Sequence, residues 1–174
     1  MGRQRAAGGL IIVMSAICLM ACVPETTRVP APTQGSPERS PKVATAAVAE
    51  ATYRSYIEAL NSDRATTNHT FEADQYLTGS ALEGERLSRL QFEREGIRLD
   101  GAIRLDSLTP VRSDTSSLLG YVCLDVSETR VLDETETDVT PPDRTPVVGL
   151  EVMFLISGDT ALISESKAKD GVCS

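Results

Sequence analysis

The chain has no tryptophan, a single histidine and only 4% aromatic residues. Any core must therefore be packed by Leu, Ile, Val and Ala, and a hydrophobic content of 41% is enough to supply one. His69 lies in the polar stretch TTNHTFE between two expected helices and reads as an exposed loop residue. That leaves no multi-histidine metal site and no hydrolytic triad. A glycine-rich phosphate loop is also missing. Positive charge is scarce, with 17 Lys and Arg against 25 Asp and Glu, a net charge of −8. With no basic stripe to offset it, this balance repels phosphate backbones and argues against a nucleic-acid partner. The acidic run Asp133–Asp138 lacks the regular ligand spacing and the turn glycine of a calcium loop, so it reads as a solvated loop. No cofactor and no metal are expected. At 174 residues there is room for one domain plus tails.

Charge is also absent from Ala6 to Val23, an 18-residue segment preceded by Arg3 and Arg5. A positive start, an apolar middle and a small-residue end describe a secretory signal. A membrane-anchoring helix is the rival, since the length sits at the lower edge for a span. Gly8 and Gly9 weaken the front of such a helix, and Leu19-Met20-Ala21-Cys22 resembles the bacterial lipobox. Residues 1–21 are thus expected to be a lipoprotein signal peptide that takes Cys18 with it. Cys22 is expected to become the lipidated first residue of the mature chain, because two acyl chains hold a protein to a bilayer far better than one. Removing Arg3 and Arg5 from the 17 positive side chains leaves 15 against 25 negative, or −10. Residues 22–43 carry five prolines among Thr, Ser and Gln, a composition that cannot bury enough surface to fold. They read as an extended tether reaching at most ~65 Å at polyproline rise.

From Ala44 the pattern becomes that of a folded domain, expected to span 44–174. Ala49, Tyr53, Tyr56, Ile57 and Leu60 recur on one helical face. FEADQYLTG suggests a short second helix stopped at Gly79. A third helix is expected from an N-cap at Ser80 to Gly96, with Leu87 and Leu90 as its buried stripe. After Gly96 the period changes to alternation. In IRLDGAIRLDS the residues Ile97, Leu99, Gly101, Ile103 and Leu105 share a face, and Gly101 marks a bulge or bend. SLLGYVCLDVSETRVLD and VVGLEVMFLIS read as further strands, the latter turning at Ser157-Gly158-Asp159 into TALISES. Helices first and antiparallel strands after make an α+β fold, with N-terminal helices packed on a curved antiparallel sheet.

With Cys18 removed and Cys22 lipidated, Cys123 and Cys173 remain, a natural disulfide pair in an oxidising compartment. The alternative is two free thiols, one of them buried in a strand. If bonded, Cys123 belongs near the edge or on the outer face of its sheet.

The stretches ATYRSYIEALNSDRA, YLTGSAL, GIRLDGAIRLDSL and YVCLDVSETRVLDETETDVTPPDRTP, with the final Val172-Cys173, resemble an actinobacterial lipoprotein family with an NTF2-like (SnoaL-like) domain. The resemblance implies a cone formed by a bent sheet closed by helices, on the extracytoplasmic face of a bacterial cell membrane. It also leads to an expected turn glycine where this chain has Glu136. The superfamily includes enzymes and plain binding modules, so fold alone decides no activity. Isomerases of this fold place an aspartate base and a tyrosine donor in an apolar pocket. Here Tyr53, Tyr56, Tyr76 and Tyr121 are the available donors, and Asp106 and Asp125 the available bases. Alternation sets Tyr121 and Asp125 on the face of Cys123, away from a cavity. The leading expectation is a non-catalytic module binding a protein or a small apolar ligand. An isomerase or cyclase with a Tyr/Asp pocket and a homodimeric envelope assembly module are the alternatives.

Overall fold

The computed structural model describes residues 41–65 and 70–173. The signal segment, Cys22, most of the tether and His69 lie outside the described residues. Helix α1 spans Pro41–Ala65, starting slightly before the expected Ala44. Proline suits a first helical position because its φ is preset and its missing N–H would have had no partner there. Ala49, Tyr53, Ile57 and Leu60 are buried along one stripe, as their spacing predicts, with Tyr56 half-buried beside them.

The chain leaves α1 through Asp63, a buried carboxylate that accepts the backbone N–H groups of Glu72 and Ala73, both at 3.0 Å. These bonds anchor a short 3-10 turn, Glu72–Tyr76, in place of the expected second helix. Leu77 then makes a bridge to Ile163. Gly79 does not stop a helix. It opens helix α2, Gly79–Glu95, with Thr78 rather than Ser80 as the N-cap. Gly79 has φ +53°, and a Cβ there would stand 3.2 Å from the Ser164 carbonyl oxygen. At the other end Gly96 adopts a left-handed cap, as its sequence position suggests. Leu87 and Leu90 do not form a buried stripe: they are 65% and 53% exposed. The inward face of α2 is instead Ala81, Leu82, Glu85, Arg89 and Phe92, partly buried at helical spacing. A leucine pair three residues apart specifies a face but not which side the tertiary fold covers.

Six strands follow: β1 Arg98–Asp100, β2 Arg104–Ser113, β3 Ser117–Asp125, β4 Arg130–Leu132, β5 Val147–Ser157 and β6 Thr160–Ala168. They form an open antiparallel sheet in the order β2-β3-β5-β6, and β1 with β4 makes a separate ribbon. The expected strand from Ile97 to Ser107 is therefore split in two. Gly101, with φ +84°, bends the chain so closely that a Cβ would lie 2.1 Å from the Glu128 carbonyl oxygen. Asn61 holds the far side of the bend, donating to the Ile103 carbonyl at 2.8 Å and accepting its N–H at 3.0 Å. The run SLLGYVCLDVSETRVLD also breaks, into β3 and β4. Arg144 clamps the intervening turn by donating to the carbonyls of Val126 (2.9 Å) and Thr129 (2.7 Å).

A local pattern sets several turns. Asp114, Asp125, Asp133 and Asp138 each accept the backbone N–H of the Ser or Thr two residues on, at 2.8–2.9 Å. This is the Asx-turn, and Asp-x-Ser/Thr is its sequence form. Bonds from that following Ser or Thr, through N–H or hydroxyl, are the largest cause holding these carboxyls below the ordinary range. The acidic run is thus a turn that uses two of its carboxylates internally. Within it Glu136 has φ 62°, the left-handed conformation for which a glycine was expected, and its carboxylate pairs with Arg98.

Three bulges interrupt the alternation, at Asp106, Val111 and Ser164, and the first and last set core facing. In β2 the register slips at Asp106, so Leu105 opposes Leu124 and Leu108 opposes Val122. In β6 it slips at Ser164, bringing Ser166 opposite the buried Val152 after Ile163 opposite Phe154. Each extra residue reverses the alternation and bends its strand. Against this inner face pack α1 and α2. Tyr53 meets Phe154 edge-on, with ring centroids 6.1 Å apart.

Cys123 and Cys173 are joined by a disulfide, Cα atoms 5.7 Å apart. β3 lies between β2 and β5, so of the two expected locations it is the outer face, not the edge, that holds Cys123. The C-terminal segment crosses that face over Gly149, whose carbonyl accepts the Lys169 N–H at 2.9 Å. A Cβ at 149 would stand 2.7 Å from Val172 Cγ2, so only glycine leaves room for the segment.

Candidate functional site

α2 cannot close fully on the rest of the core. Toward α1 it presents Ser80, Ala81, Gly84 and Ser88, all small, and a Cβ at Gly84 would meet nothing within 4 Å. Glycine inside a helix costs about 1 kcal/mol relative to alanine, so this position is locally unfavourable and leaves space. The result is an open cavity of about 340 Å³ between the two helices and the inner face of the sheet. That lies at the small end of the range for small-molecule sites, ~300 Å³ and upward.

The deep walls are apolar: Ile57 and Leu60 from α1, Leu77, Ile103, Leu124, Leu150 and Ile163. Polar groups come from the helices and from Ser166 of β6. Tyr56 donates its hydroxyl to Glu85 Oε2 at 3.5 Å, and Arg89 stands 3.8 Å from the same carboxylate on its other oxygen. Arg89 in turn is held by Asp74 at 2.8 Å. Burial, reinforced by the Glu85 charge, pushes the Tyr56 phenol well above its ordinary range, so it remains a neutral donor. Burial alone does the same for Tyr53. Arg64 lines the cavity one turn beyond Leu60, and its buried Nη1 has no hydrogen-bond partner among the described residues. Burial pulls its pKa below the usual guanidinium value, with Glu85 and Tyr56 partly opposing that shift.

Of the side chains singled out from the sequence, Tyr53 and Tyr56 line the cavity. Tyr76 is half-buried in the 3-10 turn and is not among the lining residues. Asp106 is exposed at its bulge. Tyr121, Cys123 and Asp125 share the outer face of β3, as alternation predicts, and Asp125 is committed to its turn. The structure therefore brings neither Asp106 nor Asp125 to the tyrosines of the cavity. Arg64 and Glu85, the charged pair of the cavity, were not foreseen. A signal for Arg64 exists, since it continues the spacing Tyr53, Tyr56, Ile57, Leu60 onto the same face. Glu85 carries no comparable signal, because the face of α2 that turns inward is set by packing.

No family model matches the chain, and no curated protein does. Among solved structures, the chain is similar to the intermembrane-space region of the chloroplast protein ARC6, at 20% identity and a TM-score of 0.52. The match covers 71% of this chain and 95% of that one. At that identity the likeness concerns the arrangement of helices and sheet alone.

Proposed function

We propose that this protein is a membrane-anchored, extracytoplasmic bacterial lipoprotein whose NTF2-like domain binds a small apolar ligand without transforming it. The observation that carries the binding half is the cavity, where Ile and Leu side chains of α1 and the sheet meet polar groups of Tyr56, Arg64, Glu85 and Ser166. An apolar pocket with a few convergent polar groups is the usual form of a ligand site. The isomerase alternative needs a carboxylate base beside a tyrosine donor. Among the described residues Glu85 is the one carboxylate lining the cavity, and it is already engaged by Tyr56 and Arg89. A homodimer through the outer sheet face would have to form around the C-terminal segment that crosses Gly149.

The anchoring half rests on the sequence: Arg3 and Arg5, the uncharged run and the lipobox-like Leu19-Met20-Ala21-Cys22. No helix among the described residues is long and apolar enough to cross a membrane. A disulfide between Cys123 and Cys173 suits an oxidising compartment.

Two measurements test the two halves. In a bacterial host fed labelled palmitate, the wild-type chain takes up label and Cys22→Ala does not; equal labelling refutes the anchor. Octanol, a neutral apolar probe, binds the wild-type protein by titration calorimetry, and Gly84→Phe removes that binding while leaving the fold intact. Failure of the folded wild type to bind octanol or either of its charged octyl analogues refutes the ligand role.

A further inference from the structure

Arg64 gives the cavity a chemical preference beyond its shape. A buried polar group without a partner is rare, and a buried guanidinium donor is the most demanding of these, because it carries charge. Among the described residues two charged side chains line the cavity, Arg64 and Glu85, and Arg89 stands beside Glu85. Glu85 is served by the Tyr56 hydroxyl and by Arg89, and Arg89 is served by Asp74. Arg64 feels Glu85 through space, yet its Nη1 donates to no described residue. Arg64 is therefore the lining residue with unfilled donor capacity, and it brings positive charge beside the apolar walls of Ile57, Leu60 and Leu77.

We propose that the ligand is an amphiphilic monocarboxylate, with its carboxylate on Arg64 and its apolar body against the Leu and Ile walls. This rests on the binding reading above and specifies its substrate class. A carboxylate matches the planar fork of a guanidinium and forms charge-assisted bonds to it. One negative charge is the limit the cavity sets. A dianion such as a phosphate monoester would meet a single lining arginine and the repulsion of Glu85. A cationic amphiphile would need Glu85, whose donors are already in place. The volume of about 340 Å³ suits a short chain rather than a membrane-length lipid.

The test uses the full-length protein and three probes that differ only in head group: octanoate, octanol and octylammonium. Octanoate binds most tightly and octylammonium least. Arg64→Met weakens octanoate by roughly tenfold to a hundredfold, the range for losing a hydrogen bond to a charged group, and leaves octanol unchanged. Arg64→Met is expected to fold, since removing a donor that lacks a partner leaves nothing behind unpaired. Should it fail to fold, Glu85→Gln provides the same decision: it tightens octanoate severalfold by removing the opposing charge and does not change octanol. Wild-type protein that binds octanol as well as octanoate, or either variant leaving octanoate affinity unchanged, overturns the carboxylate assignment while the apolar binding role stands. Folded wild type that binds none of the three overturns the binding role itself.

Discussion

Replacing Cys123 and Cys173 together by alanine lowers the unfolding free energy by ~4 kcal/mol. The bond joins residues 50 apart in sequence, and closing a loop of that size removes about this much conformational freedom from the unfolded chain. For a domain whose whole stability is of order 5–15 kcal/mol, the loss is a large fraction. The structure adds a local consequence. The segment after β6 is held on the outer face by the Lys169 N–H bond to Gly149 and by the disulfide beyond it. Without the disulfide it is tied by that bond and by the Lys169–Glu151 ion pair, at 3.8 Å. Urea unfolding of wild type and double variant, both without reductant, measures the difference. Amide exchange at Lys169 is expected to quicken before the core strands are affected. Equal midpoints with equal slopes would mean that the bond contributes no net stability.

Phe154→Ala destabilises the domain by ~3–5 kcal/mol, the range for deleting a buried aromatic side chain. Phe154 is fully buried at the centre of β5, and its neighbour across the interface is the Tyr53 ring of α1. With so few aromatics in the chain, this edge-on pair is the main aromatic contact tying the helices to the sheet. A double-mutant cycle with Tyr53→Ala isolates it, and a coupling of about 0.5–1.5 kcal/mol is expected for such geometry. Tyr53 also lines the cavity, so Tyr53→Ala should enlarge it. Phe154, which is not a lining residue, should affect stability without changing probe preference. Independence of the two effects, with coupling near zero, would mean that the helices and the sheet are held by aliphatic contacts alone.

The helical stripe from Ala49 to Leu60, the strand at Val147–Ser157 and the turn at Gly158 were legible because each is written in local periodicity or turn chemistry. The cysteine pair was legible by counting. The Asp-x-Ser/Thr turns are equally local, since each carboxylate bonds the backbone two residues on. The bend at Gly101 was legible, but the bulges at Asp106 and Ser164, each of which reverses the facing of the residues that follow, were not. A bulge is a property of two strands paired in a register, and a single strand's sequence does not contain the register.

The sequence by itself determined the order of elements, the inward stripe of α1 and the presence of Cys123 and Tyr121 on one face, since all of these follow from the repeat of a single element. Only the tertiary structure decided that Leu87 and Leu90 face solvent while Ala81, Gly84 and Glu85 face α1. It also decided that small residues there leave a cavity, and that Arg64, Glu85 and Tyr56 all line it. The reason is physical. Helix propensity and spacing fix which residues share a face, but which face is buried depends on the surface it meets. That surface is assembled from segments as distant in sequence as Tyr56 and Ile163.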